Sequence, residues 1–232
     1  MSFLGKSFAI STTYPKIVTD GLVLNLDAGQ QNSYRGSGTT WTDLSGKGNN
    51  GTLTNGPTYN SANGGSIVFD GTNDIVNCGN STTLNMSTET TLIHWLRFTG
   101  STWSPFIGKG TNASTNNYRT WIGSDRGYDV EMTNDNFKPL FTVTSGELPT
   151  NSWCCLGMRF KSDGTLSGFF NGVNKNTVAK NIGATNNGDF TIGTDGSNYG
   201  GGSISCIQLY NRALSDAEVS QNFNALRGRF GV

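Results

Sequence analysis

Alternation of apolar and polar residues marks most of this chain as β-strand. Gly21-Leu22-Val23-Leu24-Asn25-Leu26-Asp27 puts Leu22, Leu24 and Leu26 on one face, because side chains on a strand point alternately to opposite sides. Two runs follow at 66–71 and 75–78, joined by a tight turn through Asp70 to Asp74. Further strands are predicted near 90–99, 103–108, 118–124, 128–133, 138–144, 152–161, 166–171, 173–179, 189–194 and 203–210. Their regular spacing is that of a sandwich. Asn171-Gly172 between two of them is a strong hairpin signal. Residues 28–65 are polar, with Asn-Gly turns around short strands. In the last strand, Ile204, Cys206 and Gln208 are expected on one face, and Ser205, Ile207 and Leu209 on the other.

The period changes at Ser215. Val219, Phe223 and Leu226 recur at helical spacing, and Ser215 with Glu218 three residues on makes a capping box. A helix is predicted over 215–227, packing against or closing the β core. The expected fold is all-β: two antiparallel sheets in one sandwich with a short C-terminal helix. Residues 1–16 read as a leader and 17–232 as a single domain.

Composition narrows the function classes. A hydrophobic content of 34% with 32 Gly suits a turn-rich β protein. Sixteen basic and sixteen acidic residues balance, so no general field draws nucleic acid to the surface. No apolar run reaches transmembrane length, so no membrane insertion is expected. The N-terminus lacks the apolar core of a secretory signal, so folding in a reducing cytoplasm is expected. Cys78, Cys154, Cys155 and Cys206 fit no zinc spacing and read as buried free thiols.

Several ordered segments carry a family resemblance. They are Gly21-Leu22-Val23-Leu24 with Leu26-Asp27-Ala28, Trp41-Thr42-Asp43-Leu44-Ser45-Gly46, Phe69-Asp70-Gly71-Thr72-Asn73-Asp74, Trp95, Trp153, Phe170-Asn171-Gly172, Ile192-Gly193, and Ile207 through Ser215. Together, over roughly 20–230, the chain resembles the LamG-like jelly-roll domains of the concanavalin A-like lectin and glucanase fold. The opening 17–29, with Ser33-Tyr34 and 41–46, looks like domains of tailed-phage structural proteins. That resemblance implies a non-enzymatic virion protein made in the host cytoplasm. Its expected place is head decoration or cement, with tail or fibre as the other settings. Its implied partners are capsid or tail proteins and further copies of itself. The alternative is a glycan-binding adhesion module that attaches a particle or secreted assembly to a cell surface.

Candidate chemistry is sparse. Retaining glucanases of this fold carry alternating acids on one strand, and Asp129-Val130-Glu131 is the nearest match here. Thr133 stands where a third acid would be, so Asp129 and Glu131 are expected to be solvated and no catalytic set is assigned. His94, the single imidazole, reads as a core or interface residue. No cofactor is required. Asp70, Asn73 and Asp74 are candidate ligands for a structural calcium, although Asp-Gly-Thr-Asn-Asp equally makes an Asx turn. Trp103, Tyr118, Trp121 and Tyr128 are candidate sugar platforms, whereas Trp41, Trp95 and Trp153 are expected in the core. Phe3, Leu4, Phe8, Ile10 and Tyr14 in the leader are candidates for docking on a partner, or for adding a strand to the sandwich.

Overall fold

The computed structural model describes residues 15–85, 88–99, 103–110, 118–123, 125–132, 138–142, 150–180 and 188–232. Sixteen strands, one α-helix and two short 3-10 turns occur among them. The strands are β1 (Leu22–Asp27), β2 (Thr40–Trp41), β3 (Gly51–Thr54), β4 (Thr58–Asn60), β5 (Ser66–Asp70), β6 (Ile75–Asn77), β7 (Thr90–Arg97) and β8 (Ile107–Lys109). They continue as β9 (Tyr118–Ile122), β10 (Gly127–Met132), β11 (Lys138–Thr142), β12 (Trp153–Phe160), β13 (Thr165–Phe170), β14 (Val173–Ala179), β15 (Phe190–Ile192) and β16 (Gly201–Tyr210). The helix is α1 (Asp216–Phe230).

Two antiparallel sheets face each other. The first runs β14-β13-β12-β7-β16-β5-β4, with β1 also paired to β16. The second runs β11-β10-β9-β8-β15-β6-β3-β2. Between them lies a core that includes Leu24, Leu26, Trp41, Ile67, Leu92, Leu96, Tyr118, Tyr128, Leu156 and Ile207. The four cysteines are buried and unbridged, as their spacing predicted.

β16 organises the first sheet. Its start pairs with β5, its end with β1, and its other edge with β7. The simple alternation expected along it fails at one place. Ile204 faces Leu96 and Cys206 faces Trp95, so Ser205 is an extra residue in the ladder. Such a bulge shifts the two-residue period by one. Ile204 therefore joins Ile207 and Leu209 in the core between the sheets, while Cys206 and Tyr210 turn to the helix side. Ser205 Oγ donates to the Gly65 carbonyl at 2.6 Å, which anchors the bulge.

α1 covers the outer face of the first sheet. Ser215 Oγ accepts from the Glu218 amide and Glu218 Oε2 accepts from the Ser215 amide, the reciprocal bonds expected of a capping box. Arg227 and Arg229 occupy the last turn, where the helix dipole favours cations, and Gly231 closes the helix in a left-handed conformation. Val219, Phe223 and Phe230 are buried, and Trp95 stacks on both phenyl rings at 5.5 and 4.2 Å. Each such buried side chain contributes roughly 1.5–3 kcal/mol. The helix thus runs one turn beyond the predicted end, because Phe230 reaches the same indole. Asn222 adds a polar pin: its Oδ1 accepts from Val18 N, and its Nδ2 donates to Gln208 Oε1 and Tyr210 Oη.

Candidate functional site

With helix α1 occupying the outer face of the first sheet, the outer face of the second is the surface left for chemistry. On β10, Tyr128 and Val130 point into the core, so Asp129 and Glu131 must point outward. Their cross-strand neighbours on β9 are Trp121 and Arg119. Arg119 Nε donates to Glu131 Oε2 at 2.6 Å, and its Nη1 lies 3.5 Å from Asp195 Oδ2 and 3.3 Å from the Asp195 carbonyl oxygen. The guanidinium also stands over the Trp121 ring, 5.5 Å from its centroid. Gly108 is the residue of β8 beside Arg119, and a Cβ there would come within 2.4 Å of the Arg119 Cα. Glycine is required for the two strands to carry this cluster.

Asp129 and Glu131 were expected to be solvated; both are buried, at 4% exposure. The reason for Glu131 is that Arg119 supplies its counter-charge and hydrogen bonds. Asp129 differs. Its Oδ2 converges with Asp125 Oδ1 on Gly123, 3.2 and 2.6 Å from where a Cβ would stand. Burial, with Asp125 adding repulsion, pushes the Asp129 carboxyl up to about 7. The two acids of the Asp-Val-Glu run therefore have different electrostatic settings.

The four aromatic candidates separate by exposure. Trp103 is 38% exposed and presents its indole at the end of the second sheet. Its ring meets Phe106 edge-on at 5.6 Å, and Phe106 meets Trp121 at 5.3 Å, so a short aromatic row runs across the face. The other three, expected as sugar platforms, are buried. Tyr118 and Tyr128 point between the sheets, where Tyr118 Oη donates to the Leu84 carbonyl at 2.9 Å and Tyr128 Oη lies 3.3 Å from His94 Nε2. Trp121 is on the outer face but buried under Arg119 and Phe106. None of these three rings offers a face to a sugar. Trp41, Trp95 and Trp153 are core residues as expected, and His94 is buried between the sheets.

Asp70, Asn73 and Asp74 form the Asx turn that their order also predicted. Asp70 Oδ1 accepts from Thr72 N at 2.7 Å, and Asp74 Oδ2 accepts from Asp70 N at 2.9 Å. Asp43 accepts from the amides of Asn25, Ser45 and Asn49, and so ties β1 to its neighbouring loop. Among the described residues no three His, Cys, Asp or Glu side chains are grouped to hold a metal ion. Phe3, Leu4, Phe8, Ile10 and Tyr14 lie outside the described residues. Arg119 carried no sequence signal, because its partners Glu131 and Asp195 are brought to it only by the β9–β10 register and by the loop after β15, and Asp125 reaches Asp129 only through the turn that joins those two strands.

Comparison with known proteins places this geometry in a family. The family model described as the concanavalin A-like lectin/glucanases superfamily matches residues 70–220. The chain belongs to the concanavalin A-like superfamily. No curated protein matches it in sequence. Solved structures share the concanavalin A-like fold at low identity. The receptor binding domain of botulinum neurotoxin C/D mosaic serotype has a TM-score of 0.68 and 15% identity, covering 89% of this chain and 51% of the toxin domain. The binding domain of botulinum neurotoxin DC, in complex with SialylT, has a TM-score of 0.65 and 15% identity, covering 90% and 52%. Trypanosoma rangeli sialidase has a TM-score of 0.67 and 17% identity, covering 92% and 34%. The chain thus spans about half the length of the toxin domains and a third of the sialidase. The concanavalin A-like fold is shared by enzymes and by binding domains, so the site must distinguish them.

Proposed function

We propose that this chain is a non-catalytic carbohydrate-binding module whose contact surface is the Trp103 end of the second sheet. The supporting observation is the exposed indole of Trp103, which meets the buried Phe106 ring edge-on at the outer face of the second sheet. A sugar ring stacks its C–H face on an exposed indole, and polar groups at the rim orient its hydroxyls. Retaining hydrolysis would need two carboxyls about 5–5.5 Å apart, both free to act on the substrate. Glu131 is instead tied to Arg119, which favours binding over catalysis.

The partner in this reading is a cell-surface glycan. A virion would be one setting for such a module. The residues that suggest it, 17–46, lie outside the matched 70–220, and the neighbours named above are toxin domains and a sialidase. A glycan array followed by titration calorimetry tests the proposal. Trp103→Ala is expected to abolish binding while leaving the melting temperature within a few degrees. Binding that survives the change, or no saccharide bound by the wild-type chain, would overturn it.

A further inference from the structure

A polar pocket lies at the far edge of the second sheet, where residues 31–42 lead into β2; β15, β6 and β3 separate that edge from β8 and β9. Its volume is 280 Å³. Hydrogen bonds within the loop hold it in shape. Ser33 Oγ donates to the Thr42 carbonyl at 2.6 Å and accepts from Asp27 N at 3.1 Å. Thr42 N donates to the Ser33 carbonyl at 2.8 Å. Tyr34 is buried against Tyr59 and donates its hydroxyl to the Gly38 carbonyl at 2.8 Å. Gly36 and Gly38 both adopt positive φ, 87° and 89°, so the loop reverses as only glycine readily allows.

The lining is hydroxyls, amides and one cation. Gln31, Asn32, Ser37, Thr39 and Thr40 line the pocket together with Arg35, and no carboxylate joins them. Arg35 is exposed and, among the described residues, makes no hydrogen bond, ion pair or ring contact. That is unlike Arg119, Arg159, Arg212 and Arg229, each of which pairs with a carboxylate. A planar guanidinium left unpaired in a preformed polar pocket is suited to an incoming carboxylate or sulfate, which it can bind through two parallel bonds.

We infer that this pocket binds a single acidic sugar residue, with its carboxylate or sulfate on Arg35. The ring hydroxyls then meet the threonine and serine hydroxyls and the side-chain amides. The volume lies just below the roughly 300 Å³ at which pockets for drug-sized ligands begin, which suits one ring. A single cation does not suit nucleic acid, whose binding rests on many phosphate contacts. This site is independent of the Trp103 face.

Ligand-detected saturation-transfer NMR and calorimetry on the full chain test it. The probes are sialyllactose, glucuronate and galactose 6-sulfate, with lactose and sodium sulfate as controls. The acidic sugars are expected to bind and lactose not. Arg35→Ala is expected to weaken the acidic sugars roughly tenfold or more, the loss of a charge-assisted pair, with an unchanged melting temperature. Arg35→Lys is expected to fall between, and Trp103→Ala to have no effect on this binding. Equal binding of lactose, acidic-sugar binding that survives Arg35→Ala, or no acidic-sugar binding would overturn the inference. Competition by sodium sulfate as effective as by the sugars would reduce it to a bare anion site and overturn the saccharide assignment.

Discussion

His94 sits between the sheets as a neutral imidazole, with Nε2 near Tyr128 Oη and Nδ1 without a partner. Burial lowers its value from 6.5 to about 3. Below pH 6.5 the unfolded chain gains a proton that the folded chain refuses. Stability from this residue is therefore full above pH 6.5 and is lost as pH falls toward 3, a total loss on the order of 5 kcal/mol. Urea titrations at pH 7.5 and 4.5 should show about 2–3 kcal/mol of that loss, and His94→Leu should flatten it. Asp129 has the opposite sign. Its folded value is about 7 against 3.8 unfolded, so the folded state holds the extra proton, and stability is lost as pH rises from 3.8 through 7. Asp129→Asn should raise the melting temperature at pH 8 and bring no gain at pH 3.5. An unchanged melting temperature at both would show that the carboxyl is solvated after all.

Helix α1 is both locally encoded and tertiary. Its start is written in Ser215 and Glu218, and Arg212 adds to it by holding Glu218 at 2.6 Å, which with the Ser215 bonds lowers the carboxyl to about 2. Removing the cap by Ser215→Ala should cost about 0.5–2 kcal/mol in chemical denaturation. Phe223→Ala should cost more, about 3–5 kcal/mol, because it leaves a cavity against Trp95. Equal costs would mean that the helix depends on its cap rather than on its packing. The strand elements show the same division. β7, β12 and β13 fall close to where alternation put them, while Ile204 changes face because of a bulge that periodicity alone does not reveal.

For the whole molecule, β16 joins the sandwich core to the helix cluster, since Ile204, Ile207 and Leu209 face one and Cys206 and Tyr210 the other. Neither cluster can melt without disturbing the other. The domain should unfold in one transition, with equal calorimetric and van't Hoff enthalpies. Because β1 pairs with β16 across nearly the whole chain, folding should be slow for a domain of this size. Two separate calorimetric peaks would show that the clusters are independent.

Local patterns were enough to read the all-β class, most strand positions, the capped helix, the free thiols, and the core placement of Trp41, Trp95 and Trp153. These depend on period, turn residues and caps within a few positions, which the chain carries in order. Tyr118, Trp121 and Tyr128 could not be told from Trp103, because all four are large aromatics in strands or at their ends. Exposure depends on which face the register turns inward and on what packs above it. The Arg119–Glu131–Asp195 cluster joins residues of β9, β10 and the loop after β15, and Arg35 stands apart because no carboxylate among the described residues reaches it. The amino-acid order by itself determined the elements and the family. Strand register, one bulge and the packing of loops decided which side chains are buried, paired or left free to meet a ligand, because those are relations between residues far apart in the chain.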